Sequence, residues 1–139
     1  MKVYFAGSIT GGRDDQEIYL EIINYLKEKK MNVLTEHLAD KNLSSYGETK
    51  LTSKEIFKRD VEWIKDADLL IAEVTQVSLG VGYEIGFAES LEKKIICLYR
   101  EKEGERLSAM IDGNENVKII KYKELKDLNE KLNEIIGEL

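Results

Sequence analysis

The strongest constraint in this sequence is a regular alternation: short, nearly continuous apolar runs separated by longer stretches with helical spacing. Lys2 to Ala6, Met31 to Thr35, Asp68 to Val74, Ile95 to Tyr99 and Val117 to Tyr122 read as five strands, most of them apolar throughout, as in parallel strands covered on both faces. Between the first two, Ile18, Ile22, Tyr25 and Leu26 share one helical face, with Asp14 and Asp15 at the end that a helix dipole favours for acids. A second helix opens with a capping box, Thr52 to Glu55, and runs to about Asp66. A third covers roughly Val81 to Lys93, and the last places Leu125, Leu128, Leu132, Ile135 and Ile136 on one stripe. This pattern predicts an α/β fold: a five-stranded doubly wound parallel sheet, flavodoxin-like order 2-1-3-4-5, with helices on both faces.

The 139 residues suit one domain, 1–139, with no Gly/Ser linker, charge block or internal repeat to divide it. The longest unbroken apolar run, Ile95 to Tyr99, is far too short for a membrane span. No signal peptide is expected, because Lys2 leads straight into a strand-like run. Asp and Glu number 27 against 21 Lys and Arg, a net charge of -6 with no basic cluster, which speaks against a nucleic-acid polymer as partner. One Cys and one His exclude a Cys/His zinc site and an intrachain disulfide. The expectation is a cytoplasmic protein without membrane contact.

Ligands in such sheets bind beyond the carboxyl ends of the strands, where the strand order reverses. With order 2-1-3-4-5 that crevice lies between strands 1 and 3, so the loops after Ala6 and Val74 matter most. Six of the ten glycines fall there: Gly7, Gly11 and Gly12 in one segment, Gly80, Gly82 and Gly86 in the other. The segment Gly7-Ser8-Ile9-Thr10-Gly11-Gly12-Arg13 is neither a Walker A sequence nor GxGxxG. It still suits a phosphate or a sugar, since glycines admit close backbone approach and Ser8 and Thr10 offer hydroxyls at a helix start. The same residues would also serve a plain turn. Ser78, ahead of the third helix, is a donor of the same kind.

Two carboxylates occupy unexpected positions. Taking Ile56 as zero and about 100° per residue, Phe57, Val61, Trp63 and Ile64 span an arc from about -20° to 140°, and Asp60 falls at about 40°, inside it. Glu84 lies i, i+4 with Ala88 and i, i+7 with Leu91, again on the apolar side. A carboxylate there is costly unless paired or hydrogen-bonded. A salt bridge or a helix-start interaction would explain either residue alone. Two of them, on helices flanking the strand beside the crevice, point to chemistry, and paired carboxylates are what glycosidic cleavage requires. Among other candidates, Cys97 reads as an inert core thiol, Trp63 and Phe57 as core, and Tyr4 by itself as core packing. His37, ending the second strand, reads equally as a surface or capping residue and as a ligand contact.

Val3-Tyr4-Phe5-Ala6-Gly7-Ser8-Ile9, Val33 to His37, Asp60-Val61-Glu62-Trp63, Ala72-Glu73-Val74-Thr75-Gln76, Ser78 to Glu84 and Leu107 to Ile111 together resemble the 2'-deoxynucleoside 5'-monophosphate N-glycosidases, within the nucleoside 2-deoxyribosyltransferase superfamily. The likeness covers roughly residues 3 to 113. It implies hydrolysis of the bond between base and deoxyribose, with no metal or organic cofactor. By position, Glu84 would be the nucleophile, Asp60 the acid/base, and Tyr4 the group orienting the nucleophile. Gly7, Ser8, Ile9, Thr10, Gly11, His37, Ser78, Gly80, Ser108 and Met110 would contact substrate, Ser8 and Ser78 at the 5'-phosphate and His37 near the base. The resemblance further implies a homodimer in which Ser108 reaches the neighbouring active site. It also implies that Thr10 stands where relatives often carry an arginine. A retaining route would need the carboxyl groups about 5–5.5 Å apart, an ionised Glu84, and an Asp60 whose apolar setting lets it keep a proton near neutrality. A deoxyribosyltransferase and a non-catalytic nucleotide-binding domain are the alternative readings.

Overall fold

The computed structural model describes residues 1–9, 15–39 and 50–139. Five parallel strands form one sheet in the order β2-β1-β3-β4-β5. They are β1 (Lys2–Ala6), β2 (Asn32–Val33), β3 (Leu69–Glu73), β4 (Lys94–Arg100) and β5 (Lys118–Tyr122). The helices are α1 (Gln16–Glu28), α2 (Ser53–Asp66), α3 (Leu79–Ser90), the short α4 (Ala109–Asp112) and α5 (Leu125–Gly137), with a 3-10 turn at Glu36–Ala39. The expected fold class is therefore correct in strand number, direction and order.

The period of two along each strand divides the core into two layers. Val3 and Phe5 of β1, Leu69 and Ile71 of β3, and Ile96 and Leu98 of β4 face Tyr19, Ile22, Ile23 and Leu26 of α1 and Leu128 and Leu132 of α5. Tyr4, Ala6, Leu70, Ala72, Ile95 and Cys97 face the other way, toward Ile64 of α2 and Val81, Ile85 and Ala88 of α3. Cys97 is fully buried, as expected, and burial first, then the Glu73 charge, pushes its thiol up to about 12.

Local differences from the sequence reading have identifiable causes. The second strand is two residues long rather than five, because Thr35 ends the ladder with its side chain. Its hydroxyl donates to the Phe5 carbonyl at 2.6 Å and accepts from the Phe5 N–H at 2.9 Å, which satisfies both backbone groups of the neighbouring strand. His37 consequently lies in the 3-10 turn and not at a strand end. The capping box at the start of α2 is present, with Thr52 accepting from Glu55 N–H and Glu55 accepting from Thr52 N–H, both at 3.1 Å. Phe57, expected in the core, is 53% exposed, and only Ile64 of α2 is fully buried. Phe57 instead meets the exposed Tyr83 of α3, with ring centres 6.1 Å apart, while Trp63 packs against the core beside Ile64. Among the described residues no helix is long and apolar enough to cross a membrane.

Candidate active site

Three of the singled-out side chains meet on the α2/α3 side of the sheet, at the carboxyl end of β1. Tyr4 points from β1 into this layer, and its hydroxyl hydrogen-bonds Glu84 of α3. Asp60 of α2 is close enough to act electrostatically on both. Burial, then the charges of Glu84 and Asp60, push the Tyr4 hydroxyl far above its ordinary range, so it remains a proton donor. Burial also pushes Glu84 up to about 7; the Tyr4 hydrogen bond pulls the other way and the Asp60 charge reinforces the rise. A hydroxyl that never ionises is thus fixed beside a carboxyl poised near neutrality, which is the range in which a catalytic group is useful.

Asp60 has a partner that the sequence reading did not single out. Arg59 holds Asp60 Oδ1 through Nε at 3.0 Å and a terminal nitrogen at 2.9 Å. Its guanidinium sits 4.6 Å from the centre of the Trp63 ring, and Trp63 meets His37 with ring centres 5.7 Å apart. His37 is thereby brought to the same corner as Asp60. The spacing of Arg59 and Trp63, i and i+4 on one helical face, was the available signal for this stack. The charge distribution of the site differs from the expected one: the raised carboxyl is Glu84, while the group facing a cation is Asp60.

The glycine loops supply donors. At Gly7 a Cβ would come within 2.9 Å of Cζ of the buried Tyr19, so only glycine lets the chain pass over that ring. The Tyr19 hydroxyl accepts from Ser8 N–H at 3.0 Å. Ser8 is wholly buried, and among the described residues its hydroxyl has no hydrogen-bond partner. Ile9 follows, half-buried, while Thr10 and Gly11 lie outside the described residues. Ser78 caps α3 by accepting from Val81 N–H at 3.3 Å, and exposed Gly80 sits in the first turn, with Glu84 Oε1 3.9 Å from where its Cβ would be. Ser108 caps α4 by accepting from Met110 N–H at 3.3 Å. Both serines and Met110 line a cavity of about 770 Å³ with Val74, Val81 and Ile85. Ser108 and Met110 thus border a cavity that Tyr4, Asp60 and Glu84 do not line.

A second carboxylate assembly occupies the opposite face and went unremarked in the sequence. Glu73, 1% exposed, accepts from Thr75 N–H at 2.6 Å through Oε1 and from the Tyr122 hydroxyl through Oε2. Arg100 donates its N–H to Thr75 Oγ1 at 2.8 Å and its guanidinium to Asp15 at 2.8 Å. Burial raises the Glu73 carboxyl against the pull of these donors. A charged residue in a strand read as covered on both faces was the signal to notice.

Residues 3–118 match the family described as nucleoside 2-deoxyribosyltransferase. A 5-hydroxymethyl-dUMP N-hydrolase of Tetraodon nigroviridis is 50% identical over 117 residues, covering 84% of this chain and 82% of that protein. One from Esox lucius is 46% identical over 129 residues, covering 91% and 88%. The solved structure of a CMP N-glycosidase from Clostridium botulinum superposes with a TM-score of 0.72 at 29% identity, covering 96% of this chain and 98% of that one. The chain belongs to the nucleoside 2-deoxyribosyltransferase family.

Proposed function

We propose that this protein is a glycosidase that hydrolyses the N-glycosidic bond of 2'-deoxynucleoside 5'-monophosphates, releasing free base and 2-deoxyribose 5-phosphate. The observation that carries this reading is the convergence of Tyr4, Glu84 and Asp60 at the carboxyl end of β1, beside two serine-bearing loops. Relatives near half identity are named for a deoxynucleotide substrate, and the more distant one for a ribonucleotide, which favours the deoxy sugar here.

In the proposed cycle Glu84, ionised and oriented by the Tyr4 hydroxyl, attacks the anomeric carbon as Asp60 delivers a proton to the departing base. A glycosyl ester on Glu84 results, and Asp60 then takes a proton from the water that hydrolyses it. The buried Ser8 hydroxyl, the Ser78 hydroxyl and the N-terminal end of α3 bind the 5'-phosphate, a use suited to a helix start on an otherwise acidic chain. Thr10, Gly11, Gly7, Ile9 and Gly80 complete the loops around it, and His37, through Trp63, borders the base. The residues named need no cofactor. A single domain, 1–139, carries the activity on cytoplasmic nucleotides, with neither a membrane nor a nucleic-acid polymer as partner.

A second copy of the chain completes the site. Val77, Leu79 and Met110 are 91%, 94% and 81% exposed around the cavity that holds Ser108, an apolar rim suited to burial in a homodimer. Ser108 then reaches the phosphate of the neighbouring site.

The test is base release, followed by chromatography, from a panel of deoxynucleotides, ribonucleotides and unphosphorylated nucleosides. Deoxynucleoside monophosphates should be turned over and Glu84→Ala should abolish this; full activity in Glu84→Ala would dismiss the covalent route. Transfer to an added base in preference to water would identify a deoxyribosyltransferase instead, and binding without turnover a non-catalytic domain. Mixing Glu84→Ala with Ser108→Ala subunits should restore activity, and its failure to do so would count against the shared site.

A further inference from the structure

Adjacent side chains on a helix diverge by about 100°, so an ion pair between Arg59 and Asp60 is not imposed by α2 itself. Trp63, one turn further along, supplies the surface over which the Arg59 guanidinium lies, at 4.6 Å, while two of its nitrogens hold Asp60 Oδ1 at 3.0 and 2.9 Å. Both side chains remain 24% exposed. The pair therefore sits at the mouth of the site, where it can open without disturbing the core. Among the described residues, the titratable groups around Asp60 come from three elements: Tyr4 of β1, Glu84 of α3 and Arg59 of α2. His37 stands one ring further back, behind Trp63.

We propose that Arg59 is a positioning residue that decides which of the two carboxylates is protonated, keeping the charge on Asp60 in the free protein and releasing Asp60 when substrate binds. The inference rests on the reading above, in which Asp60 is the acid and Glu84 the nucleophile. A neutral Glu84 cannot attack, and an ionised Asp60 cannot protonate a leaving base, so the form with the proton on Glu84 and the charge on Asp60 is the wrong one for reaction. Burial does most to raise the Glu84 carboxyl to about 7, and the charge on Asp60 adds to the rise. When Arg59 withdraws, one proton leaves Glu84 and one is taken up by Asp60, so the pair keeps a single proton and a single negative charge throughout. Premature loss of the nucleophile's proton is avoided, and the reactive form is assembled only around a ligand.

The experiment compares wild type, Arg59→Gln and Arg59→Lys in base release from a deoxynucleoside monophosphate across pH. The kcat/KM profile reports the free enzyme and the kcat profile the complex. An opposite charge at this range lowers a carboxyl by about 1–3 pH units, and partial exposure places Arg59 at the lower end. Arg59→Gln should therefore move the kcat/KM profile upward by about one pH unit and leave the kcat profile in place. Arg59→Lys, which retains a cation, should stay close to wild type in both. A kcat/KM profile that does not move in Arg59→Gln would overturn the proposal, and so would a kcat profile that moves with it, since Arg59 would then remain on Asp60 in the complex. A substrate-free readout separates this from the reaction itself: carboxyl-carbon NMR should show Asp60 taking up its proton at higher pH in Arg59→Gln. Wild-type protein without turnover would refute the proposed function, while an unmoved Asp60 titration would refute the role of Arg59 whatever the activity.

Discussion

Glu84→Gln should make this protein more stable, and only above mildly acidic pH. In the folded chain burial lifts the Glu84 carboxyl from its ordinary 4.5 to about 7, so the native state binds this proton more tightly than the unfolded state does. Stability from this group is complete below about pH 4.5, where both states are protonated, and is lost as pH rises through about 7, where the native carboxyl must ionise in place. At about 1.36 kcal/mol per pH unit, the loss on reaching pH 8 is roughly 3 kcal/mol. Glutamine resembles the protonated acid at every pH and can still accept the Tyr4 hydrogen bond. Urea unfolding of both proteins should therefore give similar free energies near pH 4.5 and a gap of about 2–3 kcal/mol in favour of Glu84→Gln at pH 8. In melting temperature this is roughly 3–5 °C for each kcal/mol. A gap of equal size at both pH values, or a less stable variant at pH 8, would refute the claim that Glu84 is held in a site hostile to its charge. The measurement needs no substrate, so it tests the physical basis of the site apart from its function.

Two further substitutions probe the scaffold. Gly7→Ala places a methyl 2.9 Å from Tyr19 Cζ, and moving that buried ring also strains the Ser8 N–H bond to its hydroxyl. The expected cost is about 1–3 kcal/mol in denaturant unfolding, whereas Tyr19→Phe, losing the hydrogen bond alone, should cost about 1 kcal/mol. Tyr122→Phe removes a donor from the buried Glu73 carboxyl and should cost about 1–3 kcal/mol. Because the lost donor favoured ionised Glu73, unfolding measured across pH should show this cost growing as pH rises; a constant cost would mean that Glu73 stays protonated.

The order of the sheet was legible because each strand carries its own apolar run and each crossover its own helical spacing, and parallel topology leaves few arrangements. Glu84 was legible for a related reason: an acid inside an apolar arc contradicts its neighbours. Side chains that replace backbone pairing were not. Nothing local marks Thr35 as the residue that ends β2, since its role is defined by Phe5, thirty positions away. Phe57 misled because an apolar arc does not say which of its members the core covers, and its ring meets the exposed Tyr83 of α3 in place of the core. Arg59 and Glu73 were hidden differently. Each left a local signal, but that signal does not name the partner, and Tyr122 reaches Glu73 across 49 positions of sequence.

The two carboxylate assemblies, one on each face of the sheet, differ in how far their oxygens are engaged. Both oxygens of Glu73 are bound, by Thr75 N–H and by the Tyr122 hydroxyl, and Arg100 ties Thr75 to Asp15. This knot gathers the carboxyl ends of β3, β4 and β5 with the start of the loop leading to Ser78. A carboxylate whose lone pairs are so engaged on the closed face of a sheet is a poor nucleophile, and its burial is offset by the order it imposes on that loop. Glu84 is placed otherwise: the residue keeps partial exposure although its carboxyl is raised by burial, and it receives its hydrogen bond from a hydroxyl that cannot ionise in its place. The Glu73 carboxyl is thus tied down by hydrogen bonds beneath the loop leading to Ser78, whereas the Glu84 carboxyl is held where burial opposes its charge.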